Sequence, residues 1–423
     1  MDNKFEILNK YNFWNTEKPE LGFKRKIYAE KIKAYCHINR LIKVLTGQRR
    51  VGKSYILRQI TWDFIEGGID PKNILYISCE LIAFNFIKSY TDLQEAIEIY
   101  KDKIKPQGKV YLFLDEVQNI EGWEKAVNSF SQDYVDSYEV FISGSNSKML
   151  SSELSTLLSG RYVRFEIFPF SFEEYCEAHD KELSKANYIE YSQTSGLPEL
   201  FTLEHQETKR NYISSIKDTV LLRDIIQRHN IKDTKLLEDI FIYIVNNASS
   251  LLSIRNIANY FTSNGRKTSY DTVAAYIGYI EDTYLIHKCE RYNIKGKETI
   301  SGVCKYYIND LGFHNYLYQG FGYGIGYQLE NLVYLELARN GYDIYVGSIK
   351  GKEVDFVATK GDRTIYLQVA YILTDNETLE REYSSLQAIG DNHEKYVVSL
   401  DDYKYPSLDG IKHIQGWQLH EIL

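Results

Sequence analysis

Residues 47–54 read Gly47-Gln-Arg-Arg-Val-Gly-Lys-Ser54, a full match to G-x-x-x-x-G-K-[ST]. Glycines at this spacing let successive backbone N–H groups turn inward around an anion, and a helix start behind them adds positive potential. The cradle for a nucleotide would comprise Gly47, Gln48, Arg49, Arg50, Val51 and Gly52, with Lys53, Ser54 and Tyr55 at its exit. Lys53 would reach the β- and γ-phosphates of ATP, and the Ser54 hydroxyl would hold Mg²⁺. A second constellation is Asp115-Glu116, directly after the apolar run Val110-Tyr-Leu-Phe-Leu114. An acid closing such a strand orients Mg²⁺ and its waters, and the acid after it polarises the attacking water as general base. Adjacent acids at this point favour ATP hydrolysis over a kinase or a GTPase.

These groups need a parallel sheet to bring them together. Residues 41–46 are apolar and β-branched, as a buried parallel strand requires, and they run straight into the glycine loop. Ile56, Leu57, Ile60 and Phe64 then share one helical face. Strand, loop and helix in that order are the context that gives the motif its meaning. Further strands are expected at 73–78, 110–114, 138–143 and 162–167. The fourth leads into Gly144-Ser-Asn-Ser147, where Ser145 or Asn146 would sense the γ-phosphate, or else cap a helix over 148–158. Arg161, just before the fifth strand, reads either as an arginine finger or as a surface charge.

The runs Leu45-Thr-Gly-Gln-Arg-Arg-Val-Gly-Lys-Ser54, Leu114-Asp-Glu-Val-Gln118, Ser143-Gly-Ser145, Leu158-Ser-Gly-Arg-Tyr-Val-Arg164 and Phe168-Pro-Phe-Ser-Phe-Glu-Glu174 occur in this order. Together they resemble the bacterial and archaeal AAA-type ATPases that carry a C-terminal domain of unknown function. The resemblance covers most of the chain. It implies an AAA-like α/β fold and strengthens the expectation of an ATPase, while adding little about biological purpose.

Downstream, residues 175–235 read as a helical lid or linker with a loop at Ser195-Gly-Leu-Pro198. Arg223 and Arg228 are second-sensor candidates there, with surface salt bridges as the competing reading. Residues 236–320 suggest a winged helix: helices at 236–246, 254–261 and from Ser269 to Tyr284, then a hairpin of 286–292 and 303–308 around a polar wing at 293–302. Arg266, Lys267, Arg291, Lys295 and Lys297 are its phosphate-contact candidates. Asp271, Glu281 and Asp282 on the third helix point instead to a protein spacer.

Residues 321–423 begin with an amphipathic helix at 327–337, followed by strands at 343–346, 353–358 and 364–369. Glu353-Val-Asp-Phe-Val357, then Leu367-Gln-Val-Ala370, resembles the PD-(D/E)xK nuclease fold. That resemblance implies metal-binding acids at Glu330 and Asp355. Gln368 stands where the second acid belongs and Ala370 where the lysine belongs, so the expectation is a surviving fold without nuclease chemistry.

Bulk composition bounds the rest. A chain of 423 residues, 44% hydrophobic and 26% charged, is long enough for two to four globular domains. The expected division is 1–174, 175–235, 236–320 and 321–423. Five scattered cysteines with no C-x-x-C pair argue against disulfide or zinc frameworks, and with the N-terminal sequence they suggest a cytoplasmic protein. No run approaches a membrane span. The net charge of −8 argues against a broadly basic nucleic-acid binder. Residues 251–305, with eight Lys/Arg against five Asp/Glu, are the one DNA-binding candidate; residues 321–423, with nine against sixteen, suit a protein partner better. Two functions are expected from this reading. One is an ATP-driven switch or motor, possible as a homo-oligomer, whose accessory domains bind DNA or protein; the other is a slowly hydrolysing, nucleotide-gated regulator.

Overall fold

The computed structural model describes residues 2–14, 18–38, 40–145, 154, 156–318, 324–373 and 376–423. It divides into two compact units, Met1–Ile167 and Phe168–Leu423. No described helix is long and apolar enough to cross a membrane.

In the first unit, α1 (Asp2–Tyr11) and α2 (Lys26–Lys33) precede β1 (Ile42–Thr46) and α3 (Lys53–Glu66). Then come β2 (Ile74–Ser78), α4 (Tyr90–Ile104), β3 (Val110–Asp115), α5 (Trp123–Gln132), β4 (Tyr138–Ser143) and β5 (Tyr162–Glu166). The strands form one sheet in the order β2-β3-β4-β1-β5, with every neighbouring pair parallel. Such a sheet is covered on both faces, which is why β1, β3 and β4 are buried at every position. Even Lys43 of β1 lies inside, neutralised by the equally buried Glu139 of β4, which also takes Lys109 at 3.0 Å. Phe113 and Phe141 stack across β3 and β4 at 4.5 Å, and Phe64 of α3 packs on both.

The edge strand β2 is closed by side chains rather than by another strand. Asn12 accepts the Tyr76 N–H at 2.6 Å and donates to the Tyr76 carbonyl at 3.1 Å. The Trp14 indole N–H donates to the Ile74 carbonyl at 2.7 Å. An Asn amide supplies the donor and acceptor that a neighbouring strand would have supplied.

The second unit opens with α6 (Phe172–His179), started by a reciprocal capping box between Ser171 and Glu174, and α7 (Lys185–Ser192). Next come α8 (Gln206–Asp218), a π-helical stretch Thr219–Ile226, α9 (Thr234–Asn246), β6 (Leu251–Leu252), α10 (Ile254–Ser263) and α11 (Tyr270–Glu281). The hairpin β7 (Ile286–Asn293) and β8 (Glu298–Ile308) follows, then α12 (Ile325–Arg339). The chain ends with β9 (Asp343–Ile349), β10 (Lys352–Lys360), β11 (Arg363–Val369), α13 (Asn376–Gln387), β12 (Glu394–Ser399) and β13 (Ile411–Gln415).

All eight strands of this unit form one mixed sheet in the order β13-β12-β11-β10-β9-β7-β8-β6. The hairpin read from the sequence as a wing is thus continuous with the strands beyond residue 320. Residues 298–302, expected within the polar wing, extend β8 instead and leave a turn at 294–297. Two features account for this. The β7–β8 register shifts between Glu290 and Arg291, and Arg291–Asn293 of β7 then pair in parallel with Val346–Ser348 of β9. Polar residues at the tip are tolerated because backbone pairing, not burial, holds them.

Asp310, buried just beyond β8, fixes the loop after α7. Its carboxylate accepts the Gly196 N–H and the Gly312 N–H, each at 2.8 Å. Gly196 has no room for a side chain: a Cβ would meet the Phe170 carbonyl oxygen at 2.8 Å. Burial pushes the Asp310 carboxyl up to about 6, against the pull of its hydrogen bonds from Ser195 and the two glycine amides. The folded chain therefore holds this proton more tightly than the unfolded chain, and the contribution to stability falls as pH rises from about 4 to about 6. Asp310→Asn should remove that slope. Its stability relative to wild type should improve by roughly 3 kcal/mol across the window and level off above it, as read from urea unfolding at each pH. A difference independent of pH would show that Asp310 does not titrate there.

Candidate functional site

Register in the parallel sheet decides which chain ends meet. Leu45 pairs with Ser143, Ile142 with Leu114, and Asp115 with Ser78, so the C-terminal ends of β1, β4, β3 and β2 share one edge. The glycine loop leaves β1 at that edge. Gly47 has φ +132°, and a Cβ there would come within 2.3 Å of the Ile167 carbonyl oxygen, so only glycine fits. Gly52, left-handed at φ +97°, turns the chain into α3, and no side chain caps that helix start. Arg50 is also left-handed, at φ +69°, a conformation costly for a residue with a side chain.

Lys53 is buried and curls back over the loop, donating to the carbonyls of Gly47 at 2.9 Å and Gln48 at 3.0 Å. Its ammonium stands 4.0 Å from the Glu116 carboxylate. Burial lowers the lysine below its ordinary value, with Glu116 and Asp115 opposing. Asp115 accepts from the Tyr76 hydroxyl at 2.9 Å and from Ser143 Oγ. Burial raises its carboxyl, while hydrogen bonds from Ser143, Ser54 and Tyr76 pull it down and the neighbouring Glu116 adds to the rise.

Glu116 adopts a left-handed backbone at φ +54°, and its N–H donates to Ser143 Oγ at 2.9 Å. Its carboxylate accepts from Ser145 Oγ at 2.9 Å and from the Gln118 amide. Burial alone would raise it, but Lys53, Gln118 and Ser145 outweigh burial and hold it below the ordinary carboxylate value. Ser54 and Asp115, a hydroxyl and a carboxylate in contact, are the hard oxygen ligands that Mg²⁺ accepts. The hydroxyl and the buried carboxylate already touch each other, so these residues fit the ion.

Most of the sequence candidates therefore cluster: Gly47, Gly52, Lys53, Ser54, Asp115, Glu116 and Ser145. Arg49 reaches Glu80 at 3.7 Å, Gln48 and Val51 are buried in the loop, and Tyr55 is half exposed on α3 beside Gly22. Asn146 lies outside the described residues, as does most of the helix expected at 148–158. Arg161 is elsewhere. Its carbonyl accepts the Ile42 N–H at 3.0 Å, at the opposite end of β1 from the glycine loop. Four residue steps of strand put about 13 Å between the two, so its side chain cannot serve its own loop.

Sequence reasoning missed three residues of the cluster. Ser143, Tyr76 and Gln118 hold the two acids; Ser143 and Tyr76 reach them across the sheet, which only knowledge of strand register would have shown, and Gln118 reaches Glu116 from two residues further along the chain.

In the second unit, Arg228 is exposed and the Arg223 side chain lies outside the described residues. Arg266 is paired with Asp239 and, at 3.0 Å, with Asp233. Arg291 reaches Ser348 at 3.4 Å. Lys267, Lys295 and Lys297 are exposed. Glu330 and Asp355 do come together, with a group the sequence did not suggest: Lys305 of β8 lies 2.8 Å from Glu330 and 3.4 Å from Asp355. Gln368 accepts the Asp355 N–H at 3.3 Å and the Ser385 hydroxyl at 3.1 Å, so the amide braces the acid's backbone. Ala370 is buried.

Because one hydroxyl serves both acids of the first unit, Ser143→Ala strands the buried Glu116 N–H and removes a donor from Asp115. That should cost about 1–3 kcal/mol, seen as a lower urea midpoint for the first unit. An unchanged midpoint would mean that water replaces the hydroxyl at no cost.

Residues 39–176 match the AAA domain family, and residues 185–323 match a domain of unknown function, DUF8612. An uncharacterized protein of Haemophilus influenzae is 34% identical over 384 residues, covering 89% of this chain and 94% of that one. A Methanocaldococcus jannaschii protein is 30% identical over 391 residues, covering 87% and 82% respectively. Among solved structures, the Walker-type ATPase of Pyrococcus abyssi superposes with a TM-score of 0.41 at 15% identity, over 69% of this chain and 94% of that one. With its glycine loop, its paired acids and relatives matched along nearly their whole length, the chain belongs to the family of AAA-type P-loop proteins in which the AAA domain is followed by this domain of unknown function.

Proposed function

We propose that the protein binds ATP at residues 47–55 with Mg²⁺ and hydrolyses it, using the cycle as a switch or motor. The observation that carries this reading is the cluster of Lys53, Ser54, Asp115 and Glu116, brought together from the start of α3 and the end of β3. Mg²⁺ held by Ser54 and Asp115 would neutralise phosphate charge as it moves to the leaving group. Lys53, freed from the Gly47 and Gln48 carbonyls, lays its ammonium against the β- and γ-phosphates. Glu116 orients the attacking water and takes its proton. Ser145 senses the γ-phosphate in this reading, a role supported by its hydrogen bond to the Glu116 carboxylate.

In this reading residues 1–174 are the ATPase part, 175–235 a helical lid and 236–320 a winged helix offering Lys267, Lys295 and Lys297 to DNA. Residues 321–423 bind a protein partner and do not cut nucleic acid. The last two parts share one sheet and would move as one body. Five free thiols suit the cytoplasm.

A second reading, a slowly turning nucleotide-gated regulator, has its own observation. Glu116 is engaged by Ser145, Gln118 and Lys53 and held below its ordinary value, which makes it a weaker base. Turnover measured with DNA, with RNA and alone separates the two. Strong stimulation supports the motor, and slow, unstimulated turnover supports the regulator.

Lys53→Ala should lose nucleotide binding and turnover together. Glu116→Gln should keep binding but hydrolyse at least ~10²-fold more slowly, the usual worth of a positioned base. Wild-type turnover in the glutamine variant would remove Glu116 from the reaction. Arg161, too far from its own loop, is proposed to act on the nucleotide of a second copy. Arg161→Ala should then bind ATP without hydrolysing it, and mixing it with Lys53→Ala protein should restore part of the activity. A strictly monomeric, fully active enzyme would end that idea.

A further inference from the structure

The Lys305 ammonium in the second unit is enclosed by three carboxylates: Glu330 at 2.8 Å, Glu353 at 2.9 Å and Asp355 at 3.4 Å. They come from α12 and β10, while the lysine comes from β8. The lysine side chain is only 4% exposed and Glu330 and Asp355 are 9% exposed, so water does little to screen these two pairs, while Glu353 at 33% exposed closes the cluster on its solvent side. The other oxygen of Asp355 is also taken, accepting the Val369 N–H at 2.8 Å, while the Tyr307 hydroxyl donates at 2.7 Å to the same Glu330 oxygen that holds the lysine.

An ammonium has three N–H donors, and here three acids surround it at hydrogen-bond distances. Around a divalent ion, whose oxygens sit at about 2.3–2.6 Å for Ca²⁺ and about 2.0–2.1 Å for Mg²⁺, Glu330 and Glu353 would close in by under about 1 Å and Asp355 by up to about 1.4 Å. Both cations cannot be present, because the lysine already holds the centre. The arrangement differs from a surface salt bridge in burial and in the number of partners, and removing the lysine would leave three mutually repelling acids.

We infer that the Lys305 ammonium is the resident cation of this carboxylate cluster, standing where a divalent metal would otherwise sit and holding the second unit together without one. This deepens the reading of residues 321–423 as a part that does not cut. A protein-borne cation cannot exchange, carries no water to activate and closes the position to metal.

The test is thermal unfolding of the nucleotide-free full chain, with and without Ca²⁺ or Mn²⁺, for wild type, Lys305→Met and Lys305→Met/Asp355→Asn. Lys305→Met should melt lower than wild type and recover by roughly 3 °C or more at a cation concentration near ten times its dissociation constant. Adding Asp355→Asn should abolish the recovery, which assigns the ion to this cluster rather than to Ser54 and Asp115. Should Lys305→Met fail to fold, Lys305→Gln, which keeps all three acids and an N–H donor among them, should show the cation-dependent rise. A folded variant without any such rise would overturn the inference.

Terbium luminescence sensitised by Tyr307 reads wild type directly. No signal that depends on Asp355 is expected, and a signal lost in Asp355→Asn would show that metal enters beside the lysine and would also overturn it. Nucleic-acid cleavage by wild type would end the non-cutting reading, whereas the melting shifts judge the cluster by itself.

Discussion

At the end of β4 a single hydroxyl, Ser143 Oγ, donates to Asp115 and accepts the N–H of Glu116. The first unit's chemistry hangs from that atom, and the atom is where it is because β4 lies between β1 and β3. Moving β4 by one residue along its neighbours would turn Ser143 to the other face and leave two buried acids without their shared brace. The stacked pair of Phe113 and Phe141 beneath holds that register by packing. Hydrophobic contact thus fixes the polar geometry, which polar groups alone, exchanging one water for another, would not do.

The two units handle buried charge in opposite ways. In the first, Lys53 and the acids Asp115 and Glu116 leave an excess of negative charge next to an uncapped helix start, and the lysine is only loosely committed to two carbonyls. That arrangement is poised for an incoming anion with its counter-ion. In the second, Lys305 is bound by three acids and has no comparable freedom. Buried ions of similar composition are responsive in one case and sealed in the other, and the difference lies in how closely carboxylates hold the lysine: Glu116 at 4.0 Å for Lys53, against three acids at 2.8–3.4 Å for Lys305.

The glycine loop and the paired acids are readable from sequence because each is contiguous and sits at the end of an apolar strand. The five parallel strands are readable for the same reason. Tyr76 and Ser143 are not, since their importance comes from neighbours across the sheet, and register is absent from a one-dimensional pattern. Lys305 escaped for a related reason. It lies twenty-five residues before Glu330, in a strand whose pairing with β7 hides that β7 also pairs with β9. The polar residues 298–302 read as wing because composition alone separates buried strand from loop, and these residues are strand without burial. Arg161 shows the opposite limit. Its place in the chain suggested a role, and only the parallel pairing of β5 with β1 shows which end of the sheet it occupies.

The closure of β2 by Asn12 and Trp14 bears on how the chain can be handled. Those two side chains cover an edge that is otherwise five residues of apolar strand, Ile74-Leu-Tyr-Ile-Ser78, with free backbone donors and acceptors. A fragment cut after residue 17 would keep every residue of the glycine loop and both acids, yet would present that edge to any other copy in solution. It would be prone to join edge to edge into extended sheets. Asn12 and Trp14 are therefore the selvedge of this sheet, the finished border that keeps the weave from running into the next cloth.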